Sequence, residues 1–417
     1  MHLYYVPMLF VLVGLVLYVV LGGADFGAGI WQLVPAGERA HELREHAHEA
    51  MAPVWEANHV WLIFVITVLW TAYPQAFGSI ASTLSVPLFA AAVGIVLRGA
   101  SYALRAGTRT AAETRRVDTV FALSSLLTPF ALGTVVGAIA DGRVPVGNAA
   151  GALVSSWATA TSLTIGALAV LTSAYLAAEY LSADAVRRGE AQLERDFRVR
   201  ALVIGVVAGA AAVAGLVVLR ADVHGLYSRL LGGWNLAAVV VSALAGLATL
   251  ALVWRRRYEP ARYSAALAVA AIVAGWAAAQ QPRLLPGLSI RAAAAPQDTL
   301  VAVVVAVLVG GLLLFPSLAV LFRLTLGGRL GDGPVASEPR GASAGGASLR
   351  GLADVSRAGL GLRGAIACLL AGFVLLTLAD ASWAHAVGVV CLLAFVPFGF
   401  AAVAPMELAA REDRRRG

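Results

Sequence analysis

Residues 22–29 have the sequence GGADFGAG, and residues 52–61 have the sequence APVWEANHVW. Each stretch places a carboxylate, Asp25 or Glu56, at the edge of an apolar run that is long enough to cross a lipid bilayer. A charged group is costly in hydrocarbon, and the charged residues found there usually have a function. The two carboxylates are therefore the strongest functional indication in the sequence.

The composition is that of a membrane protein. The hydrophobic fraction of the 417 residues is 60%, the charged fraction is 13% and the mean hydropathy is +0.81. A soluble domain of this length has fewer apolar residues, so much of the apolar surface must face lipid. The net charge is +7, but the basic residues, all of them Arg, lie between apolar runs and indicate topology, not a nucleic-acid surface.

Runs of about twenty apolar residues bounded by charge, Gly or Pro predict an all-α polytopic membrane protein with about eleven transmembrane helices. The first run begins almost at Met1 and has neither a basic leader nor a small-residue cleavage site, so we expect a retained helix. The predicted spans are 4–30, 54–73, 79–104, 118–140, 153–181, 199–219, 234–254, 262–280, 299–325, 364–380 and 384–408.

The Arg residues indicate how these helices are oriented. Of the 31 Arg residues, 25 lie in odd-numbered connections, within three residues of them at a span end, or in the C-terminal tail, whereas 5 lie in even-numbered connections. Basic residues concentrate in the cytoplasmic loops of membrane proteins. We therefore predict an N-terminus outside the cell and a cytoplasmic C-terminus, an arrangement that requires an odd number of spans.

One Arg lies well inside a predicted span, several residues from either end. Arg98 is in the third span, where an unpaired guanidinium group would cost about 3 kcal/mol or more. It needs an acidic partner or a position from which its long side chain reaches the interface. The predicted orientation places Asp25, Glu56 and Arg98 toward the cytoplasmic side, so we expect a network of Arg98 with Asp25, Glu56 or both.

Small and polar residues surround both carboxylates. The glycines that flank Asp25 permit a neighbouring helix to approach and bury the carboxylate, although ordinary packing with an interfacial Asp25 also explains them. On the second span Trp55, Asn58 and His59 have the spacing i, i+3 and i+4, which places them on one helix face. Trp55 is either an interfacial anchor or a functional residue. His59 is a proton carrier, a haem ligand or a hydrogen-bonded side chain.

These stretches resemble a family of respiratory enzymes. Residues 22–29 are similar to the Asp-Gly-Phe-Asp-x-Gly-x-Gly segment of the second subunit of cytochrome bd quinol oxidases, and residues 52–63 resemble its Ala-Pro-x-Trp-Asp/Glu-x-Asn-x-Val-Trp-Leu-Ile segment. The resemblance covers about residues 1–330. Gly23 stands where the family has its first Asp, and His59 stands where the family commonly has Gln.

The resemblance implies a fold and a function. It implies nine family-like spans, arranged as two four-helix halves plus one, in a subunit of a complex that oxidises quinol and reduces dioxygen to water. Haems b and d would be carried mainly by the haem-bearing subunit I, the implied partner together with quinol and membrane lipid. Whether a small third subunit joins stays open. The implied location is the bacterial cytoplasmic membrane.

The resemblance also implies roles for single residues. Asp25, Glu56 and Arg98 would line part of a proton route from the cytoplasm, and Trp55 and Asn58 would face a quinone or the partner subunit. Neither a metal site nor a nucleic-acid partner is implied for this chain. Within the complex, this chain would support the haem-bearing subunit and deliver protons.

The C-terminal part departs from the family pattern. Residues 1–326 form the predicted oxidase-like transmembrane domain, residues 327–363 form a flexible cytoplasmic linker rich in Gly, Ala and Ser, and residues 364–417 form an additional hairpin with a basic tail. Cys368 and Cys391 lie in this hairpin, and we expect both to be small core residues.

Two other functions are consistent with the sequence. A proton-coupled secondary transporter also has Gly-interrupted helices and intramembrane carboxylates. Against it, the charged residues lie toward one side of the predicted bilayer, and the spans contain no central polar cluster. A purely structural assembly subunit is the other alternative. Glu179, at the end of the fifth span, is either a solvated span end or a participant in proton transfer.

Overall fold

The fold is known here from a computed structural model. The chain forms two compact units, Met1–Leu321 and Phe322–Gly417. Almost all of the predicted linker and hairpin lies outside the described residues, so both stay predictions. The structure describes residues 2–33, 40–51, 55–105, 107–108 and 110–326, and scattered positions between 363 and 394.

The described part of the first unit is helical, apart from one short hairpin of β1 (Arg283–Leu285) and β2 (Leu288–Ser289). A 3-10 turn, Leu3–Tyr5, precedes the first helix, and a π-helical stretch, Tyr18–Gly22, joins the first helix to the second. The α-helices are α1 (Val6–Leu17), α2 (Gly23–Trp31), α3 (Ala40–Met51), α4 (Trp55–Ala72), α5 (Pro74–Thr83), α6 (Ser85–Arg105), α7 (Ala111–Ala140), α8 (Ala160–Arg188), α9 (Ala191–Asp222), α10 (His224–Leu230), α11 (Asn235–Trp254), α12 (Tyr258–Gln280), α13 (Ile290–Ala293) and α14 (Gln297–Leu326).

Eight helical segments among the described residues are long and apolar enough to cross a membrane. A shorter apolar helix, Asn58–Ala72, corresponds to the second predicted span. The predicted class, an all-α polytopic membrane protein, is confirmed, whereas the total of eleven spans is not tested. The eight segments are Leu3–Trp31, Ser85–Arg105, Ala112–Ala140, Ala160–Arg188, Ala191–Asp222, Asn235–Trp254, Tyr258–Gln280 and Gln297–Leu314.

The fifth span begins later than the sequence predicts. The prediction is 153–181, but the helix α8 begins at Ala160 and continues to Arg188. Thr159 caps this helix, because its hydroxyl accepts a hydrogen bond from the Ser162 amide at 3.1 Å. The residues just before Thr159 form turns and bends, and the apolar character of 153–159 is therefore not that of a helix.

The third predicted span, 79–104, is divided in the structure. Leu84 separates α5 from α6 and is buried. Pro87 lies in the first turn of α6, where the missing amide hydrogen of proline has no intrahelical partner to lose. The membrane-crossing part is therefore α6 alone.

The hairpin of β1 and β2 is a strand element that the all-α prediction lacks. Pro286 and Gly287 form its turn, and Gly287 has a φ angle of +77°, which glycine adopts without steric cost. Leu285 and Leu288 are buried on either side of the turn and pack with the core around Tyr73. The hairpin therefore covers the end of the core between α12 and α14.

The glycines near Asp25 bring α2 into close contact with α8. A Cβ atom on Gly27 would lie 1.9 Å from the carbonyl oxygen of Ser173, a distance that no side chain can occupy. At the end of α2, the Trp31 indole donates a hydrogen bond to the Ala174 carbonyl at 2.7 Å. The two backbones therefore meet directly, as small residues permit within membranes.

The first and third connections lie at the same end of the helices. Arg105, the last residue of α6, binds Glu45 of α3 at 2.8 Å and Asp118 of α7 at 2.9 Å. Because α3 belongs to the first connection and Arg105 begins the third, these ion pairs join the two connections. We call this end of the first unit the Arg-rich end.

The fifth and seventh connections lie at the Arg-rich end as well. His46 of α3 contacts the carbonyl oxygen of Leu181, near the end of α8, at 3.2 Å. Arg187 of α8 lies 3.8 Å from Glu259, in the first turn of α12. The odd-numbered connections within the described residues therefore share one side, as their Arg content predicts, while the assignment of that side to the cytoplasm stays a prediction.

Gly27→Ala should destabilise the protein by about 1–3 kcal/mol, because its methyl group would meet the Ser173 carbonyl and force α2 away from α8. The measurement is the melting temperature and the yield of the purified protein. Gly209→Ala is the control, since a Cβ at Gly209 of α9 meets no heavy atom within 4 Å. Equal stability of the two variants would contradict the close packing of α2 and α8.

Candidate functional site

Arg98 and Asp25 form a buried ion pair between α6 and α2. Nη2 of Arg98 lies 2.5 Å from Oδ1 of Asp25, and the same nitrogen donates to the Asp25 carbonyl oxygen at 2.9 Å. Nη1 donates to the Ser125 hydroxyl of α7 at 2.8 Å. Both charged side chains are at most 2% exposed. The guanidinium group thus joins three helices through charge-assisted hydrogen bonds.

Two aromatic rings flank the guanidinium group. Its Cζ atom lies 4.9 Å from the ring centroid of Phe26 and 4.5 Å from that of Phe121. A guanidinium group placed over aromatic faces gains cation–π attraction, which grows when water is excluded. The rings therefore stabilise the charge of Arg98 and separate the ion pair from its surroundings.

Close helix contacts make room for the pair. A Cβ atom on Gly29 of α2 would lie 2.1 Å from the Ser125 hydroxyl, and one on Gly94 of α6 would lie 2.3 Å from the Thr128 hydroxyl. Both hydroxyl groups belong to α7, so α2 and α6 each approach α7 through a glycine. This approach lets Arg98 reach Asp25 and Ser125 at once.

The backbone before Asp25 is not a regular α-helix. Residues Tyr18–Gly22 are π-helical, and Asp25 follows in the first turn of α2. The amide of Asn58, on α4, donates to the Leu21 carbonyl inside this stretch at 3.2 Å. Short π-helical segments within α-helices occur frequently at functional sites. Here the segment sets the rotation at which Asp25 enters α2.

Some polar atoms of the site are left without partners. Oδ2 of Asp25 and the hydroxyl of Tyr18 are buried and have no hydrogen-bond partner among the described residues. Oδ1 of Asp25, by contrast, is held by Arg98. One oxygen of the carboxylate is therefore available to take a proton while the other stays paired with the guanidinium group.

The structure brings two of the predicted site residues into contact, and it does not describe the side chains of two others. Arg98 and Asp25 are in contact, as the predicted orientation requires. The side chains of Trp55 and Glu56 lie outside the described residues, although the backbone of both begins α4. Asn58 is 1% exposed and makes its described hydrogen bond within this chain, so its role toward a quinone or the partner stays a prediction.

His59 lies near the ion pair and acts electrostatically on Asp25. Its ring packs edge-on against Phe26, with 6.3 Å between the ring centroids, and Phe26 in turn covers Arg98. Among the described residues no group of three or more His, Cys, Asp or Glu side chains is placed to hold a metal ion. The prediction that this chain holds no metal is not tested by that observation.

Sequence reasoning missed the residues of α7 that complete the site. Ser125 binds Arg98, and Phe121 covers it, but neither stood out in the predicted span 118–140. A signal was present, because Ser124, Ser125 and Thr128 follow one another at helical spacing in an otherwise apolar run. All three are at most 3% exposed in the structure.

These features define the class of the protein: a multi-pass helical membrane protein with a buried Asp–Arg pair near one end of its first and third spans. Residues 3–325 match the family described as cytochrome bd terminal oxidase subunit II, and the chain belongs to that family. The predicted resemblance is thereby confirmed. Residues beyond 325 lie outside the match.

Two relatives agree with this membership. The chain is 22% identical over 236 residues to the putative cytochrome bd menaquinol oxidase subunit II of Bacillus subtilis (strain 168), which covers 56% of this chain and 67% of that protein. It also resembles a chain in the solved structure of the bd oxidase from Geobacillus thermodenitrificans, with a TM-score of 0.61 and 26% identity. That match covers 78% of this chain and 99% of the solved one.

Arg98→Ala should strongly reduce the amount of folded protein, because it leaves the buried Asp25 carboxylate without its counter-ion, at a cost of about 3–5 kcal/mol. The measurement is the yield and melting temperature after purification. Adding Asp25→Asn to Arg98→Ala should restore much of the loss, since the second change removes the stranded charge. A normal yield from Arg98→Ala alone would contradict the importance of the pair.

Ser125→Ala should destabilise the protein by about 1.5–3 kcal/mol, because it removes the hydrogen bond that Ser125 accepts from charged Arg98. Ser124→Ala is a matched control on the same helix, since the Ser124 hydroxyl bonds only to the Phe121 carbonyl within the described residues. We expect that control to cost about 1 kcal/mol. Similar melting temperatures for the two variants would argue against a special contribution of the Arg98 contact.

Proposed function

We propose that this chain is the non-haem subunit of a cytochrome bd-type terminal oxidase, a complex that oxidises quinol and reduces dioxygen to water in the bacterial cytoplasmic membrane. Membership of the subunit II family supports the proposal. So does the relative from Bacillus subtilis, whose name describes a menaquinol oxidase subunit. The partner is a haem-bearing subunit I, whose haems b and d supply the electron transfer and oxygen chemistry.

The buried Asp25–Arg98 pair carries the proposal for this chain's own contribution. Reduction of dioxygen to water consumes protons at a site shielded from the solvent, and polar side chains and water are what conduct protons through a membrane interior. Asp25 is a titratable group in such a position. We therefore assign to this chain part of a proton route that leads from the cytoplasm toward the partner subunit.

Each residue of the pair has a distinct task in this proposal. Oδ2 of Asp25, which lacks a hydrogen-bond partner among the described residues, accepts and releases the proton. Arg98 holds Oδ1 and stabilises the carboxylate once the proton has moved on. Phe26 and Phe121 keep the guanidinium group in place and exclude bulk water from the pair.

Glu56 is the second carboxylate of the proposed route. Its side chain is not described, but Asn58, two residues later on α4, binds the Leu21 carbonyl just before α2. This contact brings the beginning of α4 beside the helix that carries Asp25. Glu56 can then receive protons near the interface and pass them to Asp25, while Trp55 beside it remains the candidate for contact with a quinone or the partner subunit.

The location of the pair supports a cytoplasmic source of protons. Arg98 lies seven residues before Arg105, which corresponds to about 10 Å along α6. Arg105 belongs to the Arg-rich end, and basic residues accumulate on the cytoplasmic side of membrane proteins. Protons that enter at this end have only a short distance to travel before they reach Asp25.

Asp25→Asn and Glu56→Gln should each lower quinol-driven oxygen uptake by roughly 10²-fold, within the range that a lost proton-transfer group costs, while haem content stays at the wild-type level. Both changes keep the side-chain shape and remove the titratable group. Glu42→Gln, at an exposed position of α3, is the control and should keep wild-type turnover. The measurement is oxygen consumption per haem in the purified complex.

The same comparison separates this proposal from a purely structural subunit. If Asp25→Asn and Glu56→Gln both turn over as fast as the wild type at equal haem content, the proton route through these residues is excluded. The pair would then serve packing alone. Loss of haem together with turnover in either variant would likewise point to assembly and not to proton delivery.

A further inference from the structure

Glu179, on α8, is a buried carboxyl group that the proposed route does not use. The sequence leaves two possibilities open for it, a solvated end of the fifth span or a part in proton transfer, and the solvated position is wrong because the residue is 1% exposed. The helix continues for nine residues beyond it to Arg188. Glu179 therefore lies about 13 Å before the end of α8, within the helix and next to Tyr180, over which Arg262 of α12 stacks.

The neighbours of Glu179 do not neutralise it. Its Oε1 atom is buried and has no hydrogen-bond partner among the described residues, and it forms no ion pair within 4 Å with any of them. The charged groups that act on it are Arg262 and Glu259, both on α12. The hydroxyl of Tyr175, one turn earlier on α8, is also buried and lies near the Thr249 side chain of α11.

The contacts that Arg262 makes are with residues other than Glu179. Its Nη1 atom lies 3.4 Å from Oε1 of Glu259, and its guanidinium group stacks over the ring of Tyr180 at 4.6 Å from the centroid. Glu259 is 67% exposed and also lies 3.8 Å from Arg187. Among the described residues, the cation that acts on Glu179 is therefore paired with an exposed carboxylate through Nη1, while its Nε and Nη2 atoms are buried without a hydrogen-bond partner.

A second buried glutamate, on the neighbouring helix α9, has its charge balanced by several partners. Glu194 of α9 is buried, but the hydroxyl of Tyr258 donates to it, and Arg198 and Arg256 each lie 3.6 Å from it. Glu194 thus has three partners, while Glu179 has none within hydrogen-bonding distance among the described residues. The two buried glutamates at this end of the protein have opposite environments.

An ionised carboxylate without a partner is costly in a low-dielectric interior, whereas a neutral carboxyl group is tolerated there. Asp25 avoids this cost through Arg98, and Glu194 avoids it through its three partners. Glu179 has no equivalent arrangement, so the neutral form is the one that its surroundings favour. The Tyr175 hydroxyl beside it can hydrogen-bond to a carboxyl group in either protonation state.

We propose that Glu179 is a second proton-binding site of this chain, which holds a proton in the resting protein and exchanges it with water at the Arg-rich end. Release converts the carboxyl group to a carboxylate and a proton, with no electron transferred, and the proton leaves along the α8–α12 interface toward exposed Glu259. Arg262 can then turn from Glu259 to the new carboxylate. The site differs from the Asp25 route in helix, neighbours and resting charge, and it does not depend on that route.

The test is infrared spectroscopy of the complex purified through this chain, at neutral pH, because neutral carboxyl groups and carboxylates have separate absorption bands. The wild type should show a carboxyl C=O band that Glu179→Gln removes. Glu42→Gln, at an exposed glutamate, should leave the band unchanged. Asp25→Asn should also leave it unchanged, which separates this site from the ion pair with Arg98.

A band that persists in Glu179→Gln would show that Glu179 is ionised and would overturn the proposal. The melting temperature of Glu179→Gln is a second test of whether Glu179 is protonated. Gln has the shape and charge of a neutral Glu, so the variant should keep the wild-type yield and melting temperature. A variant that does not fold, or that melts well below the wild type, would mean that the carboxylate charge is required, which also contradicts a protonated Glu179.

Discussion

The need to neutralise Arg98 inside a membrane-spanning helix constrains much of the first half of this protein. An unpaired guanidinium group is costly in hydrocarbon, and the chain compensates it with Asp25, Ser125 and two aromatic rings. These partners lie on α2 and α7, so the charge holds three helices together. The pairing of Arg98 also requires glycine where α2 and α6 approach α7. A side chain at Gly29 or Gly94 would collide with a hydroxyl group of α7.

Sequence reasoning reached the class and the family of the protein because both depend on patterns along the chain. Apolar run lengths predict the spans, and the positions of Arg predict which connections share a side. The contact of Arg98 with Asp25 was also predictable, since topology alone brings them to one depth. The contact of Ser125 with Arg98 was not predictable, because it depends on the rotation of α7. The π-helical stretch before Asp25 was not predictable either, because it depends on tertiary contacts such as that of Asn58 with the Leu21 carbonyl.

The buried acids of this chain differ in how their charge is balanced. Asp25 is paired with a cation, and Glu194 is surrounded by a phenol and two guanidinium groups. Glu179 lacks such partners among the described residues. The sequence could not reveal this, because the burial of a residue near a span end depends on where the neighbouring helix lies. In the proposed function the two groups differ in resting charge, and one subunit would both relay protons and store them.

The central claim is that this chain acts as a subunit of a quinol oxidase. The most direct measurement is the reduced-minus-oxidised absorbance spectrum of the material that co-purifies with the tagged chain from its native membranes, together with quinol-driven oxygen uptake by the same sample. We expect haem absorbance bands and oxygen uptake from this sample. A folded chain that purifies alone, without haem and without oxygen uptake, would contradict it and would favour a transporter that works without a haem-bearing partner.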